Sequence, residues 1–278
     1  MDAWQILLPA FIMSVLMIIT HAYLGLHVLA RGIIFVDLAL AQIAGLGVSI
    51  AFLFGYDGHS IEAKLYAFIA TLIAALAFTG LHKISSKTSR EVTIGSVYVL
   101  TTALSLLILS RSSQGMEQLK SLFNGNILWV SWQDISLVAI AYGALIVLHL
   151  IKCKQFYALS FDDSNNQKNF SFLWEFFFFS SFAIVITLAV NIAGILMVFA
   201  LLIIPSFSAT LLAQAFSSRL LIAWLLALIT CTLGLWLSFA ADLPVGATVV
   251  TLTGLLPAAA LIFHYAMKNR KAALKQFK

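Results

Sequence analysis

The chain has 278 residues, of which 62% are apolar and 10% charged, with a net charge of +5 and a mean hydropathy of +1.03. That balance excludes a soluble globular domain and makes lipid the solvent. The basic excess does not mark a nucleic-acid surface, because the Lys and Arg sit at the ends of apolar runs, where they act as topology signals and lipid contacts.

Apolar runs fall at 5–28, 33–54, 63–81, 94–109, 135–151, 172–189, 192–204, 220–239 and 247–267. A bilayer core of roughly 30 Å needs about 20 apolar residues per helix, so the reading is an all-α, polytopic bundle of about 8–9 transmembrane helices in a single domain, 1–278. The first run has an Asp and no Lys or Arg before it, which does not suit a cleavable leader, so it is read as a first helix. The run at 192–204 is short and bracketed by Asn191 and Pro205, which predicts a tilted span or a broken helix covered by its neighbours. The longest polar stretch, 152–171, is too short to bury a core of its own.

With the N-terminus outside, every Lys and Arg of the 16 except Lys64, Arg111 and Lys120 falls on the cytoplasmic side. Cys153 and Cys231 form no CxxC or Cys/His cluster, so neither a disulfide nor a zinc site is expected. There is no GxxxxGK[ST] phosphate loop, HExxH or GxSxG, which excludes nucleotide hydrolysis by that route and the common hydrolase chemistries. The chain reads as a transporter rather than an enzyme, with any ATP hydrolysis left to a partner.

Polar groups at membrane depth then locate the chemistry, because a carboxylate at a helix centre costs about 2.5–3.5 kcal/mol on insertion scales. Asp37, Ala41, Gly45 and Ser49 share one helical face, a carboxylate among small residues that admit a close neighbour. The competing reading has Asp37 capping or pairing with Arg31 at the cytoplasmic end. Gln42 lies on another face and suits helix packing. His21 and His27 in the first run, with His149 and His264 later, offer imidazoles for a transient divalent-cation site, although interhelical hydrogen bonding is the commoner use. Glu91 opens the fourth run, where an acidic residue also favours its own helix dipole. Pro205 is read as the first turn of a short apolar helix, PSFSATLLAQAFSSR, on the cytoplasmic side, a surface that wants a partner.

Four stretches in order, LGLHVLARGIIFVDLALAQIAGLG, EVTIGSVYVL with LFNGNILWVS, NIAGILMVFALLIIPSFSATLLAQ, and ADLPVGATVVTLTGLLPAA, resemble the permease subunits of bacterial ABC importers for zinc, manganese or iron. That family is distantly similar to the vitamin B12 and siderophore permeases. The resemblance implies a homodimer in the inner membrane, a cytoplasmic ATP-binding subunit and an extracytoplasmic metal-binding protein. It also implies a divalent metal ion as transported substrate, with no permanently bound cofactor. It points to Asp37 and Glu91 as path residues, with His27 and His21 expected to compensate for a ligand this chain lacks and Gln42 as a substitute ligand. Pro205, Ser206, Ser208 and Thr210 fall in the segment that resembles the ATPase-coupling helix. The family's first motif, RRxxLxGDALSHAxLPG, has a His four residues after its Asp; here Ala41 or Gln42 takes that place. The loop FDDSNNQKNF also lacks the family's Ala and Gly spacing. A permease for a metal chelate or cobalamin shares the architecture, and an ion-coupled secondary carrier is the other alternative. The latter calls for matched interruptions in two repeats, whereas one is visible.

Overall fold

A computed structural model describes residues 3–58, 60–83, 87–111, 114–161 and 172–276, and these form helices with no strand among them. Long apolar segments in lipid must satisfy their own backbone hydrogen bonds, which leaves the α-helix as the available spanning form. In chain order the helices are α1 (Ala3–Arg31), α2 (Val36–Leu53), α3 (Ile61–Thr79), α4 (Lys87–Leu109), α5 (Gly115–Asn124), α6 (Trp132–Ile151), α7 (Cys153–Phe161), α8 (Phe172–Leu212), α9 (Phe216–Ala241), α10 (Val245–Gly254) and α11 (Leu256–Gln276). Most of the loop FDDSNNQKNF lies outside the described residues.

Among the described residues eight segments are long and apolar enough to cross a membrane, α10 and α11 counting as one of them. The 41-residue α8 is two arms, 172–193 and 195–212, because Gly194 has φ 77 and ψ 162. The rings of Phe178, early in the first arm, and Phe216, just past the second, both lie close to His27 of α1, at 6.2 and 5.7 Å. A straight helix from residue 178 to 212 would separate its ends by about 50 Å, so the chain reverses at Gly194. The described residues thus hold nine apolar arms, and the expected short span and broken helix are the same feature.

The position of the break differs from the one Pro205 suggested. Pro205 does not open a new helix: it is buried within the second arm of α8, as are Ser206 and Ser208. A proline in a helix interior deletes one backbone bond, and here packing holds the helix together across it. Ser206 Oγ donates to Ala22 O of α1 at 3.2 Å, and Ser208 Oγ donates to Ile204 O at 2.8 Å. Gly25 of α1 makes that approach possible, since a Cβ there would stand 2.1 Å from Leu202 O. Near the other end of the chain, Pro257 has no N–H to continue the ladder, and α10 stops at Gly254 before α11 begins.

The core is centred on α8, which packs against α1, α2, α3, α9, α10 and α11. Its buried stripe includes Phe178, Phe182, Ile186, Val190 and Met197. Large apolar side chains on α4, α6 and α11, among them Leu107, Ile140 and Ile262, point outward, as lipid-facing residues do.

The reversal depends on backbone-to-backbone contact. A Cβ on Gly194 would lie 2.3 Å from Gly125 N, and Gly125 itself has φ 63. Gly194→Ala is therefore expected to lower stability by about 1–3 kcal/mol. Gly80→Ala, at a position with open space and φ −68, should leave it unchanged. Thermal unfolding of the two variants in detergent checks this.

Candidate functional site

The polar groups sort by whether the fold gives them partners. Arg31, at the end of α1, donates to the Glu175 carboxylate at the start of α8, and both side chains are buried. The guanidinium also lies 4.4 Å from the Phe178 ring centroid, a cation–π contact strengthened by the absence of water. Arg31 therefore pairs with Glu175 and leaves Asp37 alone, contrary to the capping alternative. Glu175 is a lone acid in the run FLWEFFFF; in lipid such a charge must find an opposite one, and that signal could have named it from the sequence.

His21, His27, His149 and His264 are each hydrogen-bonded. Ser181 Oγ donates its one proton to Phe178 O at 2.9 Å, so it must accept from His149 Nε2–H at 3.0 Å. His149 Nδ1 is then the acceptor for the Tyr23 hydroxyl at 3.1 Å. This chain joins α1, α6 and α8, and the imidazole stacks on Phe156 with ring centroids 3.8 Å apart. His27 Nδ1 bonds Ser160 Oγ of α7 at 2.7 Å, inside a ring of Tyr23, Phe161, Phe178 and Phe216. His264 Nδ1–H donates to Leu211 O at 2.9 Å. His21 donates from Nδ1 to Met17 O at 2.8 Å, leaving its Nε2 lone pair buried without a partner. Tyr23, Ser160 and Ser181 carried no sequence signal that set them apart from other polar residues in spans.

Glu91 bonds outside its own helix. Its Oε1 accepts from the N–H of Phe35, the residue that caps the start of α2, at 2.9 Å, so the carboxylate anchors the α1–α2 turn from α4. The other carboxylate oxygen, Oε2, is buried and unpartnered.

Asp37 goes further than His21 and Glu91, which each keep a bond. It lies in the first turn of α2, fully buried, and neither carboxylate oxygen has a hydrogen-bond partner. A first-turn position gives it the favourable end of the α2 dipole, worth about 0.3–1 kcal/mol, which falls well short of the cost of burying the charge. Ala41, Gly45 and Ser49 continue its face and are buried with it. Gln42 is also buried, with Nε2 unpartnered.

The expected path residues are not gathered together. α1 packs on α8, α9, α6 and α7, whereas α2 packs on α3, α4 and α8, so α8 touches both and the two helices share little contact. His21 and His27 consequently do not supply the ligand that Ala41 lacks beside Asp37. Among the described residues no three His, Cys, Asp or Glu side chains converge. Of the segment expected to couple to an ATPase, Pro205, Ser206 and Ser208 are buried and Thr210 is half-buried.

The fold and this polar inventory define a multi-pass membrane permease with no catalytic constellation among its described residues. Residues 3–264 match the ABC 3 transport family, and the chain belongs to it. It is 28% identical to a protein named probable iron transport system membrane protein of Haemophilus influenzae, over 97% of this chain and 95% of that one. It is 27% identical to the manganese transport system membrane protein MntC of Listeria monocytogenes, over 94% and 91%. The fold is also that of a solved structure titled PsaBC from Streptococcus pneumoniae in complex with Fab, with a TM-score of 0.74, 21% identity and 93% of each chain covered.

Removing one partner of a buried ion pair strands the other charge. Glu175→Ala should therefore cost about 3–5 kcal/mol of stability, and the Arg31→Met, Glu175→Ala double variant should regain most of it. The unfolding midpoints of the single and double variants decide this.

Proposed function

We propose that the chain is the membrane subunit of an ABC importer that carries a divalent metal ion, iron, manganese or zinc, into the cytoplasm by alternating access. The observation that carries this reading is Asp37: a buried carboxylate without a hydrogen-bond partner on a small-residue face of a spanning helix. Intramembrane carboxylates of this kind mark ion pathways. The names of the iron and manganese relatives support the same cargo class.

In this reading the chain works as a homodimer. A separate ATP-binding subunit supplies energy at the cytoplasmic end, and an extracytoplasmic binding protein delivers the metal. Asp37 is the path residue. Glu91 is a positioning residue, since it fixes the backbone two residues before Asp37. His21 and Gln42, each with one unpartnered buried nitrogen, are subsidiary candidates. His27 ties α1 to α7, whose Cys153, Lys154 and Tyr157 are exposed and whose Phe156 and Leu159 are buried. With the buried part of the Pro205 segment out of reach, α7, Thr210 and the connection after Leu212 form the surface offered to the ATP-binding subunit.

Proteoliposomes holding the chain with its ATP-binding and binding-protein partners should show ATP-dependent uptake of radiolabelled iron, manganese or zinc. Uptake should fall at least about tenfold in Asp37→Asn, given the electrostatic weight of one charge at low dielectric. Glu91→Gln keeps the acceptor for Phe35 N–H and should retain uptake, while Glu91→Ala should not. Entry of vitamin B12 or a siderophore with all three ions left outside would contradict the metal-ion reading.

A further inference from the structure

The coordination chemistry open to a cation at Asp37 is set by which helices reach α2. It packs on α3, α4 and α8, and α5 meets it at Gly45 through Leu122. Across these five helices, 36–53, 61–79, 87–109, 115–124 and 172–212, the sequence has no His and no Cys. His21, His27, His149 and His264 stand on α1, α6 and α11, and the two cysteines on α7 and α9. What the five helices offer instead is oxygen. Asp37 brings two buried carboxylate oxygens without a hydrogen-bond partner, and Glu91 of α4 brings a third, its Oε2. Ser49 Oγ of α2 donates to Gly45 O at 2.8 Å, while Thr101 and Ser105 of α4 donate to Val97 O and Thr101 O at 2.8 and 3.0 Å. Each of these buried hydroxyls commits its one proton to its own helix, so what it has left to present is lone pairs.

We infer that a cation at Asp37 meets oxygen ligands only, and that the membrane path of this chain therefore favours manganese over zinc. Thiolate and imidazole are the donors that suit zinc, whereas carboxylate and other oxygen donors suit manganese. A path without nitrogen or sulfur ligands withholds from zinc the bonds that would set it apart. Magnesium also takes oxygen, but it dehydrates reluctantly and demands near-ideal octahedral geometry, which one helix-borne carboxylate does not build. Ala41 is the specificity-determining position. It is buried one turn from Asp37 on the same face, and its methyl group leaves the place next to the carboxylate without a donor. The inference rests on the reading that Asp37 is the path residue.

Pulsed electron paramagnetic resonance of divalent manganese reads the ligands directly. The sample is the purified, tag-free chain with its ATP-binding partner, without the binding protein, which makes its own choice of metal. The wild-type spectrum should show no coupling to a coordinated nitrogen. Ala41→His should introduce that coupling and let zinc displace manganese at a concentration at least about tenfold lower. Ala41→Gln, of similar volume but with an oxygen donor, should do neither. Coordinated nitrogen in the wild type, or zinc displacing manganese from the wild type as readily as from Ala41→His, overturns the inference. The wild-type spectrum needs no substitution, so it decides the ligands even if the larger side chains prevent folding. Asp37→Asn separates the two readings. Nitrogen-coupled manganese that Asp37→Asn abolishes sinks the oxygen-only inference and leaves Asp37 on the path, whereas manganese held equally by the wild type and Asp37→Asn removes Asp37 from the path and the inference with it.

Discussion

A bilayer interior supplies no hydrogen bonds, and that single constraint organises this molecule. Hydroxyls within spans turn back onto their own helices, as Ser14, Ser49, Thr79 and Thr101 do. Others bridge helices, as Thr71 does to Thr187 at 2.8 Å and Thr253 to Thr230 at 3.1 Å. Two buried opposite charges, Arg31 and Glu175, find each other. Against this background a fully buried Asp37 without a hydrogen-bond partner stands out, and in the proposed reading a passing cation is that partner.

The architecture was legible because it follows from run length and Lys/Arg placement, both local properties. The face Asp37–Ala41–Gly45–Ser49 was legible for the same reason: four-residue spacing fixes which side chains align whatever the helix packs against. Partnership across the bundle was not legible. Arg31 and Glu175 are 144 positions apart, and Tyr23 and His149 are 126 apart. Nothing in either sequence neighbourhood states that the helices will meet. The same limit explains why His21 and His27 looked close to Asp37 along the chain yet lie on a helix that shares little contact with α2.

The two interruptions around α8 show how tertiary contact overrides local preference. Pro205 is the stronger local signal for a break, but the helix continues through it, packed against Ala22 and Gly25 of α1. Gly194, unremarkable in sequence, takes a backbone conformation that side chains rarely adopt, because Gly125 comes against it. The reversal there brings both arms of α8 back to His27, α7 and the start of α9. The ends of α1, α8 and α9 on that side are thus joined to α7, a short helix with one exposed face. α7 is bonded to α1 through His27–Ser160, and it touches α6 through Phe156 stacked on His149, which in turn bonds Ser181 of the first arm of α8.

The central claim is that Asp37 meets the cation directly, and an infrared difference spectrum tests it without any transport step. Divalent manganese added to the purified chain with its ATP-binding partner should shift a carboxylate band, and that shift should be missing in Asp37→Asn although the variant keeps the wild-type unfolding midpoint. The same metal-induced carboxylate shift in both proteins would place the cation elsewhere and contradict the account.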